Sequence, residues 1–233
     1  MDRPGIQEVS NCLLCGQEGE ILYADIRDFF FENEGIFSFQ RCPSCGLIWL
    51  SPRPAPGDMG RFYGNYYTHA PCTGEETATV RNRFLGEFRN RLRESILCGY
   101  YGYRHIHMSH RICGIGRYLG KVPFLRERAS NELRARLPFY ARGGRVIDVG
   151  CGRGDFLFRM KELGWEVMGI ETDPLSAEIA CGRGIPVDTR PLGKTCLPEN
   201  WADAVIMNHV IEHLYDPVSE LKECRRILKK GGR

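Results

Sequence analysis

Residues 144–173 read GRVIDVGCGRGDFLFRMKELGWEVMGIETD, and this stretch decides the fold. It opens with a short apolar run at residues 145–149, which is typical of a buried parallel strand. Three glycines at alternate positions then let the backbone turn sharply and approach a ligand closely, namely Gly150, Gly152 and Gly154. A helix with one apolar face follows, and a second strand at residues 166–170 ends in Glu171. The order of strand, glycine loop, helix, strand and acid predicts half of a nucleotide-binding α/β unit.

The charges around the glycine loop select among nucleotides. A dinucleotide fingerprint reads G-x-G-x-x-G and sets a pyrophosphate on the helix N-terminus. Here the third glycine comes one position early, and Asp155 stands where a carboxylate would repel a pyrophosphate. Asp148 adds negative charge beside the loop, which suits a cationic ligand without phosphates, such as S-adenosylmethionine. Glu171 lies 21 residues after Gly150, where a carboxylate can accept hydrogen bonds from both ribose hydroxyls.

Four motifs follow one another in the C-terminal part of the chain. They are DVGCGRG at 148–154, GIETD at 169–173, ADAVIMNHVIEHLYDP at 202–217 and RILKKGG at 226–232. In order and spacing they resemble the successive motifs of class I S-adenosylmethionine-dependent methyltransferases, and four motifs are far more specific than one glycine loop. The alternative is a Rossmann-like domain for another ligand.

The resemblance implies an α/β fold with a Rossmann-like sheet and assigns roles to individual residues. The cofactor would be bound by Asp148, Gly150, Cys151, Gly152, Gly154, Glu171, Thr172, Asn208 and His209. Methyl transfer is an in-line displacement, so the enzyme mainly aligns the reactants and supplies a base where the acceptor must lose a proton. In the E-H-x-x-D-P stretch, His213 is the predicted base, and Glu212 would orient it or contact the substrate. The alternative is that this stretch only braces its loop.

The rest of the domain is expected to supply two more helices and two more strands. The helices are predicted at 175–181 and 218–228, and the strands at 184–188 and 202–207. Asp173 is the predicted N-cap of the first helix, with Pro174 at its first position. Asp188 is the nearest acid for an adenine amino group, although it lies inside the predicted third strand.

The family's sheet has the strand order 3-2-1-4-5-7-6, and the K-K-G-G-R turn normally leads into strand five. Strands one to four are therefore expected in this sequence, and strands five to seven are expected to be missing. The chain is accordingly interpreted as truncated, with an apolar, unpaired edge on the fourth strand.

Two copies of C-x-x-C-G occur near the N-terminus, separated by 26 residues, and contain Cys12, Cys15, Cys42 and Cys45. Two thiolates three positions apart on a tight turn can reach one tetrahedral ion, and four cysteines without histidine indicate a closed structural zinc site. Short strands at 28–31 and 36–40 would complete a zinc ribbon over residues 1–56, which the metal keeps folded. The alternative, a thioredoxin-like redox pair, needs only one C-x-x-C.

The ribbon's second half continues into a tyrosine-rich segment. The run C-P-S-C-G-L-I-W-L-S-P-R-P followed by F-Y-x-x-Y-Y resembles a methyltransferase subgroup that carries an N-terminal zinc ribbon. In that subgroup the tyrosine segment lies near the mouth of the active site. The resemblance implies that Tyr63, Tyr66 and Tyr67 close over substrate, and packing at a domain interface is the alternative.

Residues 57–142 are predicted to form a helical, basic connecting region ahead of the methyltransferase domain at 143–233. Residues 81–142 hold thirteen Arg and one Lys against four Glu, a net charge of +10 compared with +3 for the whole chain. A solvated helical linker explains this pattern, but a basic amphipathic helix can also bind an anionic membrane surface, a phosphate-bearing substrate or RNA. His105, His107 and His110 lack a nearby acid or cysteine pattern and are not predicted to be metal ligands.

Composition places the chain among ordinary globular proteins, with 42% hydrophobic and 26% charged residues in 233. It has no run of eighteen apolar residues and no apolar signal core at its N-terminus. Of the eleven cysteines, four form the two metal-binding pairs and seven are scattered, which indicates a reducing compartment. We therefore expect a cytoplasmic protein, peripheral at the membrane if the basic region binds it.

The sequence thus predicts S-adenosylmethionine-dependent methyl transfer. By resemblance to the ribbon-bearing subgroup, the acceptor is expected to be a small molecule or glycan, such as a sugar nucleotide or a polysaccharide-related metabolite. One alternative is an RNA methyltransferase that recognises RNA through its zinc ribbon, although no N-P-P-Y or D-P-P-Y follows the fourth strand. The other is an inactive, truncated cofactor-binding module.

Overall fold

A computed structural model describes residues 5–29, 35–56, 80–103, 109–131 and 143–233 of the chain. The contacts divide the chain into two compact units, Met1–Pro71 with Tyr215–Val218, and Cys72–Leu214 with Ser219–Arg233. None of the helices in the described ranges combines the length and the apolar character that crossing a bilayer requires.

The first unit consists of short antiparallel strands. They are β1 (Ile6–Gln7), β2 (Glu20–Ile26), β3 (Phe37–Arg41), β4 (Ile48–Ser51) and β5 (Arg53–Pro54). Strands β2, β3 and β4 form one sheet, and β1 pairs with β5. Cys12, Cys42 and Trp49 are buried together, and the Trp49 indole Nε1 donates a hydrogen bond to the Val9 carbonyl at 2.7 Å.

The strand predicted at 28–31 is wrong at Asp28 and Phe29, which lie outside any strand; residues 30 and 31 are outside the described ranges. The partner of β3 is β2, which begins soon after the first cysteine pair. The register sets Glu20 opposite Arg41. This pairing brings the ends of the hairpin, and with them the two cysteine pairs, to the same place, so the position of the cysteines overrides the aromatic run.

The second unit is built on a parallel sheet. Its strands are β6 (Arg145–Val149), β7 (Glu166–Ile170), β8 (Val187–Asp188) and β9 (Ala204–Met207). They are ordered β8-β7-β6-β9, which is the 3-2-1-4 arrangement of the predicted fold, and all pairs are parallel. The first two strands have the predicted bounds, whereas β8 and β9 are shorter than predicted.

The helices of this unit are α1 (Val80–Gly99), α2 (His110–Leu119), α3 (Pro123–Asn131), α4 (Asp155–Glu162), α5 (Pro174–Gly182) and α6 (Pro217–Ile227). Short 3₁₀ turns occur at Leu192–Lys194 and Ile211–His213. The predicted cap of α5 is confirmed, because the Asp173 carboxylate accepts a hydrogen bond from the Ser176 amide at 2.9 Å, with Pro174 at the first position.

Successive residues of β6 pack into two different apolar layers, one on each face of the sheet, because side chains alternate along a strand. Val146 packs in a cluster with Ile96 and Leu97 of α1, whereas Ile147 packs on the opposite face with Ile227 of α6. The described helices of the basic region therefore share a core with the sheet. The three-segment division of the chain stays a prediction, although α1 and the sheet belong to one compact unit.

Two observations depart from the sequence-based expectations. A disulfide joins Cys98 at the end of α1 to Cys113 in α2, two of the seven scattered cysteines. Their Cα atoms lie 5.5 Å apart, because the two helices cross there, which spacing along the chain does not reveal. The edge of β9 is also partly paired: the Val205 amide donates to the Arg233 carbonyl at 2.7 Å, and the Arg233 amide donates to the Asp203 carbonyl at 3.1 Å.

Candidate functional site

Three adjacent strands end at the same level of the sheet. The register sets Val149 beside Ile170 on one side and Met207 on the other. The residues that follow these strands, Gly150, Glu171 and Asn208, therefore gather at one edge. Ligands of open parallel α/β sheets bind outside this carboxyl edge.

The glycine loop has the backbone conformation that the sequence predicts. Gly150, Gly152 and Gly154 have φ values of 71°, 53° and 76°, which favour glycine. The amide of Gly150 donates to the Ile170 carbonyl at 2.8 Å, so the loop folds over the end of β7. A methyl group at Gly150 would overlap the Val210 side chain, whereas the space beside Gly152 is open. The loop is thus packed on one side and accessible to a ligand on the other.

Glu171 connects the loop to the second strand. Its carboxylate accepts one hydrogen bond from the Gly152 amide at 2.8 Å and another from the Asp173 amide at 2.9 Å. A carboxylate offers about four lone-pair positions, so further positions remain for the two hydroxyls of a ribose. The two amide bonds fix the orientation of the carboxylate, which fits the role predicted for it.

Asp148 is a buried residue of strand β6. Only 6% of the residue is exposed. Burial, and then the nearby charge of Glu171, raise the pKa of its carboxyl group to about 7. The negative charge that the sequence predicts at this position is therefore only partly present at neutral pH.

Cys151 and Thr172 differ in exposure. The Cys151 thiol is buried, and burial followed by the charges of Asp148 and Glu171 raises its pKa to about 12. This thiol remains neutral, so the residue can contribute through its backbone but not as a nucleophile. Thr172 follows Glu171 and is exposed at the carboxyl edge.

The sequence reasoning missed an arginine that braces the loop. Arg183 donates to the Arg153 carbonyl at 3.0 Å and to the Asp155 carboxylate at 2.5 Å. Its guanidinium also lies 5.1 Å from the centre of the Phe158 ring. Asp155, the first residue of α4, is thus ion-paired. Its negative charge is partly balanced by Arg183, which weakens the repulsion of a pyrophosphate that the sequence predicts. No local pattern identifies Arg183, because it reaches the loop from the end of α5, 28 residues away.

The acid nearest to the third strand is also ion-paired. Asp188 accepts hydrogen bonds from Arg190, with 2.7 Å between Oδ2 and Nη2. The Arg190 guanidinium lowers the pKa of the Asp188 carboxyl group below its usual value. The structure therefore shows a structural partner for Asp188, and its contact with adenine stays a prediction.

The candidate catalytic residues surround a short turn after β9. Asn208 and His209 are exposed, and His209 has a positive φ of 55°. His209 Nδ1 lies 3.2 Å from Glu212 Oε1, and His213 is exposed at the end of the 3₁₀ turn. Partial burial raises the pKa of Glu212, but the hydrogen bonds from its own backbone amide and from His209 outweigh this effect. The net pKa is therefore below its usual value, and the carboxylate is charged. Glu212 therefore orients His209, and its predicted action on His213 stays untested.

A cavity of about 640 Å³ lies elsewhere, between β9 and α6. Among the described residues that line it are Val205, Met207, Leu221 and Cys224, but none of the predicted cofactor-binding residues. We therefore assign the candidate cofactor site to the carboxyl edge of the sheet, on its chemistry, and not to this cavity.

The four cysteines of the first unit form a second candidate site. Their sulfur atoms all lie within 4.8 Å of one another, and the closest pairs are 3.4 and 3.5 Å apart. Four sulfurs at about 2.3 Å from a tetrahedral zinc ion would be roughly 3.8 Å apart, so the group fits zinc with little adjustment. A redox disulfide would use only two of them.

The two cysteine turns have matching backbones. The Cys12 and Cys42 amides each donate to a carbonyl five residues on at 2.8 Å, and Gly16 and Gly46 have φ values of 74° and 77°. The Leu14 and Cys45 amides point at the sulfurs of Cys12 and Cys42 at 3.4 Å. The pKa of the Cys42 thiol is lowered to about 6, and the hydrogen bond from the Cys45 amide is the largest cause. Amide donors that stabilise thiolates are the second shell that a zinc site requires.

Several candidates from the sequence lie outside the described residues. These are Tyr63, Tyr66, Tyr67, His105 and His107. His110 is described, and it is exposed at the start of α2.

Comparison with known proteins agrees with this geometry. Residues 147–233 match the family model described as a methyltransferase domain. The chain is 36% identical over 107 residues to a ubiquinone biosynthesis O-methyltransferase of Cereibacter sphaeroides, covering 43% of this chain and 42% of that protein. It is 32% identical over 123 residues to the enzyme of the same name from Caulobacter vibrioides, covering 48% of each. The chain thus spans about half the length of these relatives.

Among solved structures, the chain is similar to an S-adenosylmethionine-dependent methyltransferase from Archaeoglobus fulgidus, with 30% identity and a TM-score of 0.39, covering 45% of this chain and 48% of that one. The strand order, the glycine loop with its acid, and the family match define the C-terminal domain as a class I S-adenosylmethionine-dependent methyltransferase domain. More particularly, its sequence relatives include O-methyltransferases.

Proposed function

We propose that this chain binds S-adenosylmethionine at the carboxyl edge of its sheet and transfers the methyl group to a hydroxyl oxygen of a small molecule. The observation that carries the proposal is Glu171, which is held by the Gly152 and Asp173 amides beside an accessible glycine loop. This arrangement supports a ligand that offers hydroxyls to the acid and a cationic end to the loop.

The cofactor supplies an electrophilic methyl group on a sulfonium. The protein's part is to hold the sulfur, the methyl carbon and the acceptor oxygen in line. Transfer would break the C–S bond as the C–O bond forms, and would leave the electron pair of the broken bond on sulfur. The proton of the hydroxyl is taken by a base, for which His213 and the His209–Glu212 pair are the candidates at this edge.

The acceptor class is inferred from the relatives, which are named for O-methylation in ubiquinone biosynthesis. An oxygen acceptor also explains why imidazoles gather after β9, since a hydroxyl must lose its proton during transfer. A sugar nucleotide or glycan hydroxyl is the second candidate, because it needs the same chemistry. These relatives' names do not favour it.

We also propose that Cys12, Cys15, Cys42 and Cys45 hold one structural zinc ion. All four positions of a tetrahedral ion would be filled by sulfur, so the site is closed to substrate. The metal would stabilise the first unit, whose described core consists of few residues.

The cofactor proposal is tested by isothermal titration of the full chain with S-adenosylhomocysteine. Glu171→Gln should weaken binding about 10- to 100-fold, because it removes charge-assisted hydrogen bonds to the ribose. The matched control is Glu166→Gln, whose carboxylate forms only an exposed ion pair with Arg145. Equal affinity of the Glu171 variant and the wild-type chain would contradict the assignment, as would wild-type binding of NAD in place of the homocysteine derivative.

Activity is tested by transfer of a tritiated methyl group from S-adenosylmethionine to phenols, catechols, sugar nucleotides and RNA in parallel. Labelled ether products from a hydroxylated small molecule would support the proposal. Label in RNA alone would favour the RNA methyltransferase, and binding without transfer to any acceptor would favour the inactive module.

A further inference from the structure

Three of the four large apolar residues of helix α2 are exposed, and only Leu119 packs on the core. Cys113, Gly116 and Gly120 face the protein, whereas Ile112, Ile115 and Tyr118 are exposed. The exposed three lie three positions apart in succession, so they form one row along the helix. An amphipathic helix of a globular protein normally has the opposite arrangement, with its large apolar residues toward the core.

The helix cannot turn this row inward. A methyl group at Gly116 would overlap the Ser95 carbonyl of α1, and one at Gly99 would overlap the Cys113 carbonyl of α2. The two backbones are therefore in direct contact, and the Cys98–Cys113 disulfide joins them at the crossing. Because this contact admits only small residues, the outward direction of the large ones is built into the fold.

Two more exposed apolar residues follow α2 in the sequence. Val122 and Phe124 at the start of α3 are 46% and 66% exposed, and Ile115 and Tyr118 are 57% and 71% exposed. We call the five exposed side chains of Ile112, Ile115, Tyr118, Val122 and Phe124 the 112–124 surface. Five large apolar side chains exposed within thirteen residues are the kind of feature that marks an interaction site.

The charged residues of the segment that carries the 112–124 surface are almost all positive. Residues 109–131 contain four Arg and one Lys against a single Glu, a net charge of +4. Arg111, Arg117 and Arg128 are exposed, and the Lys121 ammonium lies 5.4 Å from the centre of the Tyr118 ring. Lys121 therefore lies beside the apolar row, and the exposed arginines alternate with its residues along the same segment.

We propose that the 112–124 surface docks the protein on an anionic lipid bilayer, with the apolar row in the interface and the basic residues at the headgroups. Apolar side chains bordered by arginine and lysine are what such a membrane selects. Two copies of a surface with a charge of +4 would repel each other, which disfavours self-association. RNA would use the charges but leave five large apolar side chains without a partner. This inference goes beyond the methyl-transfer proposal and does not depend on it.

The test is flotation of the full chain with vesicles, without any cofactor. Vesicles of phosphatidylcholine are compared with vesicles that contain about 30 mol% phosphatidylglycerol, near the surface charge of an anionic leaflet. The chain should float with the anionic vesicles, and binding should weaken as salt rises. Ile115→Ser with Tyr118→Ser should lower the partition coefficient about tenfold or more, because two apolar side chains no longer enter the interface.

The matched control is Ile21→Ser with Tyr23→Ser on β2, the same residue types at 68% and 63% exposure. It should change the partition coefficient by no more than about twofold. That result would exclude general surface apolarity as the cause of binding. Equal losses in both double variants would overturn the proposal. The proposal would also be overturned if the wild-type chain did not float, or if it floated equally well with neutral vesicles. A third contrary result would be a chain that binds RNA, with or without the Ile115 and Tyr118 changes, but does not bind vesicles.

Discussion

Replacing Asp148 by Asn should stabilise the protein at alkaline pH but not at acid pH. Asp148 lies on β6 with 6% of its surface exposed, close to the Glu171 carboxylate. Its ionised form is therefore disfavoured in the folded state, where its pKa rises from the ordinary value of 3.8 to about 7. The unfolded chain has no such penalty, so stability depends on pH through this one group.

The magnitude follows from the difference between the two pKa values. A carboxyl group whose folded pKa is raised contributes full stability below pH 3.8, and this contribution is lost as the pH rises through about 7. Each pH unit in that window removes about 1.4 kcal/mol from the free energy of unfolding. The total is about 4 kcal/mol, of which roughly 2.5 kcal/mol is lost between pH 5 and pH 8. The asparagine variant does not titrate, so its stability relative to wild type should increase by that amount.

The assay is urea unfolding at pH 5, 6, 7 and 8, followed by the fluorescence of the tryptophans and by circular dichroism. Other titrating groups are common to both proteins and cancel in the difference. The control is Asp188→Asn: Arg190 lowers the pKa of Asp188 below 3.8, so its stabilising contribution is fully present from pH 5 to pH 8, and this variant should be destabilised by an amount that does not change with pH in that range. A difference between Asp148→Asn and wild type that changes by less than about 1 kcal/mol from pH 5 to pH 8 would refute the reasoning.

Two further predictions concern packing and metal binding. Gly116→Val should lower the free energy of unfolding by about 2 kcal/mol or more, since the new side chain overlaps the Ser95 carbonyl. Thermal denaturation would measure it against Gly114→Val, where the space is open, and similar melting temperatures for the two variants would contradict the close helix contact. Cys42→Ser should abolish stoichiometric zinc and loosen the first unit, as measured by elemental analysis and near-ultraviolet circular dichroism. The exposed Cys196→Ser is its control, and unchanged zinc in the Cys42 variant would remove the metal assignment.

Local sequence was sufficient for the parallel sheet and the glycine loop. Strands β6 and β7 coincide with their predicted bounds, because a buried parallel strand is a continuous apolar run that few other structures share. The cap at Asp173 was equally predictable, since the N-cap, the proline and the helix are consecutive. The hairpin of the first unit was misplaced, because the aromatic run at 28–31 predicts a strand, whereas β3 pairs with β2, which begins soon after the first cysteine turn.

The sequence by itself determined the class of the domain, the position of its glycine loop and the two cysteine pairs, because each is a motif whose residues lie a few positions apart. Three other features depend on contacts between residues far apart in the sequence, and only the tertiary structure reveals them. These are the protonation of Asp148, the arginine that braces the loop from the end of α5, and the outward direction of the apolar row on α2. The physical reason is that burial, ion pairing and helix contact depend on distances in space, which a one-dimensional pattern does not contain.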